Sequence, residues 1–421
     1  MTATSTDPTW LARERLAGYD PTALGSARIV VIGAGALGQN AVLALALSGV
    51  RTLVVVDPDT FEASNRTRSP FYKMDAPKAQ AVAEGFLRTA THPEAQAFFH
   101  AGMVQEVGDL VTGGLEKSWF PTAIVSAVDS NQGRAYLAQL CRRFAVPLVE
   151  AGFDGADIGV CVVSNHREIV GEPCWACGRR NIRDASTRGL CSLYARQAED
   201  AGDVPAIQSA AQIAGALVAE AAIGFAHVRT GGDDDAEFAL RQRVPLAGHR
   251  WHLNLRTGRS VLARLALDSD CAVDHRHLEP ADLLGVVEPT TTVGDLFTSL
   301  AVLLPEPEAL LLPEFIAVSL PCRLCGRALS VGLPLSAVSL APACPAGTCG
   351  QPGAPAVPIV RQMLEAGDEE VAALPLRAVG LGPGSVFHVS GRGCAGLVQL
   401  AGTVPGVFPR AVHPNPLEST P

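Results

Sequence analysis

The sequence predicts an α/β protein, a largely parallel and doubly wound sheet followed by a smaller β-rich unit. Three observations support this. Short apolar, β-branched runs alternate with Ala/Leu-rich segments of helical length through the first part of the chain, the pattern that lays strands side by side with helices on both faces. A glycine turn, Gly33-Ala-Gly35-Ala-Leu-Gly38, joins one such run to the next helix. Beyond about Glu288 proline becomes frequent, helical periodicity fades and paired cysteines appear. Residues 1–27 therefore read as an N-terminal helical segment, 28–285 as a nucleotide-binding unit and 286–421 as an accessory unit.

Taken in order, Leu11 to Arg15 is a short helical stretch. Ile29 to Ile32 is an apolar strand that ends on Gly33. A helix spans about Ala36 to Leu47, and a second strand, Thr52 to Val56, ends on Asp57. Strand, glycine turn, helix, strand and then an acid about 20 residues on is a nucleotide-binding fingerprint and makes the sheet Rossmann-like. Glycines let the backbone turn tightly and let phosphate approach the amides at a helix N-terminus. An NAD, FAD or ATP site would all satisfy this much.

A polar loop, Pro58 to Arg68, leads to a helix with Lys78 near its start. Ala97 to Phe99 reads as a strand, with a short helix near Val107 to Val111. Thr122 to Val128 is a strand ending on Asp129, and Asn131 to Phe144 is a helix. Pro147 to Ala151 and Ile158 to Val163 add two strands. Residues 171–205 break the pattern as a long crossover loop holding Cys174, Cys177 and Cys191; loops of this length are usually functional or disordered. Ile207 to Phe225 resumes as a helix. Trp251 to Leu255 and Ser260 to Leu265 form a hairpin around Thr257 and Gly258. Val386 to Val389 and Gly396 to Leu400 close the accessory unit as paired strands. In an open parallel sheet, Gly33, Gly35, Gly38, Asp57 and Asp129 all fall at the carboxyl edge, where ligands bind.

Acidic residues outnumber basic ones, 42 to 33, and no Lys/Arg block stands out, which argues against nucleic acid or an anionic membrane as the main partner. The N-terminus lacks a signal-peptide layout, and apolar runs such as Ala41 to Leu47 are far shorter than a membrane span. A cytoplasmic location is the expectation. Eleven cysteines, several in pairs at ligand spacing, then read as zinc ligands before disulfides.

The motifs Arg-Ile-Val-Val-Ile-Gly-Ala-Gly-Ala-Leu-Gly, Asp-Pro-Asp-Thr-Phe-Glu-Ala-Ser-Asn-Arg-Thr-Arg, Ala-Pro-Lys, Ser-Ala-Val-Asp, Pro-Cys-Trp-Ala-Cys and Val-Pro-Ala-Ile-Gln occur in that order between about Arg13 and Glu279. The series resembles the ThiF-type, ubiquitin-activating adenylyltransferase family. The resemblance implies ATP on a Rossmann-like sheet and adenylation of the C-terminal carboxylate of a ubiquitin-like or sulfur-carrier β-grasp protein, with release of pyrophosphate. It implies that Asp57 holds the ribose, that Asp59, Asn65, Arg68 and Lys78 line the nucleotide, and that Asp129 binds Mg²⁺. An arginine from the N-terminal helix of a homodimer partner, Arg13 or Arg15, would complete the site. The types suit the chemistry, since Arg, Lys and Mg²⁺ neutralise charge as a carboxylate attacks the α-phosphorus. The loop reads Ser-Asn-Arg-Thr-Arg where relatives often have Ser-Asn-Leu-Asn-Arg-Gln, so Arg66 is an additional cation.

Cys174 and Cys177 match the family's first zinc half-site. The preferred second half is Cys271 with His275, with His277 close by, because tetrahedral zinc accepts three sulfurs and one nitrogen; a competing set pairs Cys174 and Cys177 with Cys322 and Cys325. Cys322, Cys325, Cys344 and Cys349 read as a separate zinc ribbon with knuckle glycines at Gly326 and Gly350. Cys191 is then left as a candidate thioester nucleophile, with Arg188 three residues before it to favour the thiolate, or as a structural thiol or zinc ligand. A conjugating enzyme is a further expected partner if the thioester forms. Three other readings stay open: adenylation without a thioester, a non-catalytic scaffold, and a dehydrogenase.

Overall fold

The structure is a computed structural model. It describes residues 15–104, 107, 120–129, 131–166, 169, 171–178, 207–230, 240, 242–271, 273, 275, 277, 283–322, 325–334, 359–382, 384–392, 394–401 and 410–411. Arg13, Arg188, Cys191, Cys344, Cys349 and Gly350 lie outside these residues.

Helix α1 (Pro21–Ser26) is capped by Asp20, whose carboxylate accepts from the Thr22 N–H. Then follow β1 (Arg28–Ile32), α2 (Ala36–Leu47), β2 (Thr52–Val56), α3 (Lys78–Thr89), β3 (Gln96–His100), β4 (Ala123–Ser126) and α4 (Asn131–Phe144). A mixed part continues with β5 (Leu148–Asp154), β6 (Asp157–Val163), α5 (Gln208–Thr230), β7 (His249–Asn254) and β8 (Ser260–Arg264). β1 pairs in parallel with both β2 and β4, β2 with β3, and β4 with β5. The α/β class and the parallel-rich, Rossmann-like sheet predicted from the sequence are thus what the chain forms. The chain runs outward from β1 to β3 and then returns to the other side of β1 at β4. That reversal is a topological switch point, the usual place for a ligand crevice.

β6 is not a further parallel strand: it returns antiparallel to β5 in a hairpin turning at Gly155, φ +57°. Only two residues join them, and a parallel crossover needs a dozen or more. β7 and β8 extend the sheet antiparallel, with Gly258 in the turn at φ +67°.

α5 is by length and composition apolar enough to cross a membrane, yet most of it is buried. Its place is against α2: a Cβ on Gly215 would sit 2.7 Å from the Ala41 nitrogen, so glycine is what lets the two helices approach. The sheet face beneath them buries Ile29, Val31, Leu53 and Val55.

The second sheet is ordered β11-β10-β13-β14-β9 with β12 also on β10. Its strands are β9 (Leu283–Val287), β10 (Pro307–Pro321), β11 (Ala328–Pro334), β12 (Ile359–Glu365), β13 (Val386–Gly391) and β14 (Cys394–Leu400), with α6 (Val293–Leu300) after β9 and α7 (Glu369–Ala372) after β12. The boundary read at 285/286 falls inside β9, so this sheet starts at Leu283. Thr292 caps α6 by accepting from the Asp295 N–H, a capping signal that fading periodicity had hidden. Val386 and Leu397 pack with Cys141 and Phe144 of α4 in one apolar cluster, and Arg143 Nη2 donates to the Val386 carbonyl. A last short strand, β15 (Arg410–Ala411), pairs with β3.

Candidate functional site

Gly33 follows β1 at φ +96°, and a Cβ there would lie 2.6 Å from the Ala127 carbonyl oxygen. Gly38, in the first turn of α2, would place a Cβ 1.9 Å from the Gly33 carbonyl oxygen. Both are glycine because backbone occupies the space. Gly35 differs. It is the N-cap of α2 at φ −72°, and nothing lies within 4 Å of its Cβ position. A Cβ there would meet nothing of the fold, so the open space favours an approaching ligand, facing the N–H groups of a helix start.

Asp57 is buried, and its two oxygens accept from the Ala34 N–H (2.6 Å) and the Asp59 N–H (2.8 Å). Burial raises its pKa, opposed by these two hydrogen bonds and by Lys78. The carboxylate thus clips the glycine loop to the polar loop and keeps one further lone pair per oxygen for a hydroxyl. Lys78 opens α3; its Nζ lies 2.9 Å from Asp59 Oδ2 and its N–H donates to the Asp59 carbonyl. Residues 63–68 form a short 3₁₀ turn after Glu62. Asn65 is partly committed there, because its Oδ1 accepts from the Glu62 N–H. Arg68 Nη1 donates to the Ser64 carbonyl. Asp129 is exposed just past β4. Arg15 is exposed at the start of the described chain.

One contributor escaped the sequence reading. Gln39 is fully buried in α2. Its amide donates to the Ala34 carbonyl and Ser69 Oγ and accepts from the Phe71 N–H, so it braces the glycine loop against the segment after Arg68. The signal was a pair of amides, Gln39 and Asn40, in an otherwise apolar helix, where buried polar groups need partners.

Cys174, Cys177, Cys271 and His275 come together, each offering a ligand atom, all four within 4.8 Å of one another. Cys174 Sγ is 3.9 Å from Cys177 Sγ, 3.5 Å from Cys271 Sγ and 3.2 Å from His275 Nε2. A tetrahedral zinc with bonds of about 2.3 Å to sulfur and 2.0 Å to nitrogen puts ligand atoms about 3.5–3.8 Å apart. The group fits the ion. Backbone N–H groups of Ala176 and Val273 point at the sulfurs of Cys174 and Cys271, which offsets thiolate charge. Without an ion, hydrogen bonds from Cys174 and Cys271 hold the Cys177 thiol well below its usual range, and sharing with Cys177 pushes Cys174 well above it. The bond to Cys177 raises His275 to about 9. This is the preferred set read from sequence. In the competing set, Cys322 is buried at the end of β10, Cys325 is exposed, and neither belongs to this group. Gly326, at φ +69°, donates to the Cys322 carbonyl, the turn expected of a knuckle.

The ThiF family model matches residues 15–272. The chain belongs to the ThiF family. Among curated proteins it is 36% identical over 129 residues to the SAMP-activating enzyme E1 of Haloferax volcanii, covering 30% of this chain and 44% of that protein. It is 30% identical over 138 residues to the NEDD8-activating enzyme E1 catalytic subunit of Schizosaccharomyces pombe, covering 31% of this chain and 29% of that one. The chain thus spans less than half the length of these relatives. Among solved structures, E. coli MccB with MccA-N7isoAsn superposes with a TM-score of 0.50 at 16% identity, over 65% of this chain and 76% of that one, a likeness of fold.

Proposed function

We propose that this ThiF-family chain is an ATP-dependent adenylyltransferase acting on the C-terminal glycine carboxylate of a ubiquitin-like or sulfur-carrier β-grasp protein. What supports this is the set of residues following the carboxyl ends of β1, β2 and β4: an open Gly35, the Asp57 clip, the Lys78–Asp59 pair, Arg68 and the exposed Asp129. A dehydrogenase needs the first two and has no use for the cations. The names of the curated relatives, all activating enzymes of small protein modifiers, agree with it.

In this reading the glycine turn and the α2 N-terminus bind the phosphates and Asp57 holds the ribose. Lys78 leaves Asp59 for a phosphate, and Arg68, with Asn65, neutralises the charge that grows as the substrate carboxylate attacks the α-phosphorus. Bound Mg²⁺, held by Asp129, would supply further charge neutralisation and align pyrophosphate to leave. The acyl adenylate that forms would then meet the Cys191 thiolate, which attacks its carbonyl carbon and displaces AMP, before passage to a conjugating enzyme. The site would be completed in a homodimer by the partner subunit's Arg15. Zinc on Cys174, Cys177, Cys271 and His275 is structural, a second zinc sits on Cys322, Cys325, Cys344 and Cys349, and the accessory unit recruits the protein substrate. The setting is the cytoplasm, where thiols stay reduced.

ATP–pyrophosphate exchange that depends on a Gly-Gly-tailed β-grasp protein is the test. Exchange with such a protein supports the reading, and exchange with peptides alone moves it to a peptide adenylyltransferase. No exchange with either overturns it. A Cys191→Ala variant that still forms a thiol-sensitive conjugate removes this nucleophile.

A further inference from the structure

We infer that Trp175, Glu150 and Arg134 form a positioning relay that joins the cysteine knuckle to the peptide presenting Asp129, and so sets how tightly Mg²⁺-bound ATP is held. The inference rests on the reading of Asp129 as the Mg²⁺ ligand.

Trp175 stands between Cys174 and Cys177 and is wholly buried. Its indole N–H donates to Glu150 Oε2 at 2.9 Å. Glu150, near the start of β5 and also buried, sets its other oxygen 3.1 Å from Arg134 Nε. Arg134 Nε in turn donates to the Val128 carbonyl at 3.0 Å, and Val128 is the residue before Asp129. The path from a ligand pair of the cysteine group to the carboxyl edge of β4 is therefore continuous and polar.

Two further features show that the relay is built. On β5, a Cβ at Gly152 would fall 2.4 Å from Arg134 Nη2, so glycine clears the guanidinium's path. From β7, Arg250 Nη2 donates to the Trp175 carbonyl at 3.1 Å and holds the knuckle from its other side. A buried ion pair adds little stability over an apolar replacement of the same shape, so stability alone does not account for this one. What it does fix is orientation. With Glu150 anchored by the indole, the guanidinium stays against the Val128 carbonyl and the peptide leading into Asp129 holds one direction. Of the three, Arg134 alone reaches the carboxyl edge, at the Val128 carbonyl. They position, as outer partners of a metal ligand do.

The test is calorimetric titration of ATP into the full-length protein, zinc-loaded, with and without Mg²⁺, for wild type, Trp175→Phe and Arg134→Met. Trp175→Phe keeps the ring and removes the N–H. The gain in ATP affinity on adding Mg²⁺ should shrink by about tenfold in both variants, in line with the loss of an outer partner of a metal ligand. Metal-free ATP affinity, set by the glycine turn and Asp57, should stay as in wild type, and so should zinc content. A general loss of packing would lower both affinities together. If Arg134→Met does not fold, Trp175→Phe decides alone. A folded, zinc-loaded Trp175→Phe with the full wild-type Mg²⁺ gain overturns the relay. A wild type that binds ATP equally well with and without Mg²⁺ overturns the reading of Asp129, and the relay falls with it.

Discussion

The nucleotide edge and the cysteine/histidine group are assembled in opposite ways. At the edge, the frame is local backbone, with the turn at Gly33, Gly35 at the start of α2, and N–H groups clipped by Asp57 within one stretch of chain. The metal group has almost no local part beyond Cys174 and Cys177. Its second half, Cys271 and His275, arrives about a hundred residues later from beyond β8. A frame made of backbone is open to disruption chiefly at its glycines, whereas a group made of four side chains is broken by the loss of any one of them. Substitutions can test that contrast.

The largest effect should come from Cys177→Ser. Removing one thiolate should release the zinc and lower the melting temperature by about 10 °C or more, since binding energy at structural zinc is folding energy. Metal analysis with calorimetry reads it, and the wild type should carry two zinc ions per chain. Lys78→Ala should next lower the exchange rate by about 10²–10³-fold, the scale of one lost charge-stabilising donor. Its melting temperature should hardly move, because the Lys78–Asp59 pair has an exposed carboxylate.

The glycines divide the edge itself. Gly38→Ala drives a methyl into the Gly33 carbonyl and should cost about 2–4 kcal/mol of stability, measured by denaturant unfolding. Gly35→Ala meets nothing, so it should fold as wild type and bind ATP roughly tenfold more weakly by calorimetry, a loss of about 1.4 kcal/mol. Unchanged ATP binding in Gly35→Ala would mean that phosphate does not pass there.

The last test is of pH and leaves every residue in place. Without metal, His275 titrates near 9, so it is protonated at pH 7 and zinc must displace that proton. Below about pH 9, apparent zinc affinity should fall by about tenfold per pH unit for each displaced proton, and Cys174, whose pKa is also raised, adds another. Zinc titration in buffers of different ionisation enthalpy counts the protons released.

Much of the edge was legible because it is local. β1, α2 and β2 follow from apolar runs punctuated by glycine, and α4, Asn131–Phe144, was delimited by its sequence period. Position in the chain and zinc's acceptance of three sulfurs and one nitrogen pointed to Cys271 and His275, and the structure brings both to Cys174 and Cys177. Other features were not legible because they depend on partners far away in sequence. The β5–β6 hairpin was hidden because the strands read as Pro147 to Ala151 and Ile158 to Val163 leave six residues between them, where the structure leaves two. Gln39 looked like one polar residue in a helix until Ser69 and Phe71 closed around its amide. Glu150 and Arg134 belong to no motif along the chain, and only packing brings them together.

By itself the sequence determined the class of sheet, the glycine turn, the acids and cations bordering it, and the residue types of the cysteine/histidine group. These are set by strand and helix periodicity, by the steric freedom of glycine and by ligand chemistry, all of which act over a few residues. Only the tertiary structure decided that Gly35 faces open space while Gly33 and Gly38 face backbone, that the second sheet begins at Leu283, and that Trp175 reaches Asp129's neighbour through Glu150 and Arg134. Those outcomes depend on which atoms meet across the packed elements, and no spacing along the chain encodes that.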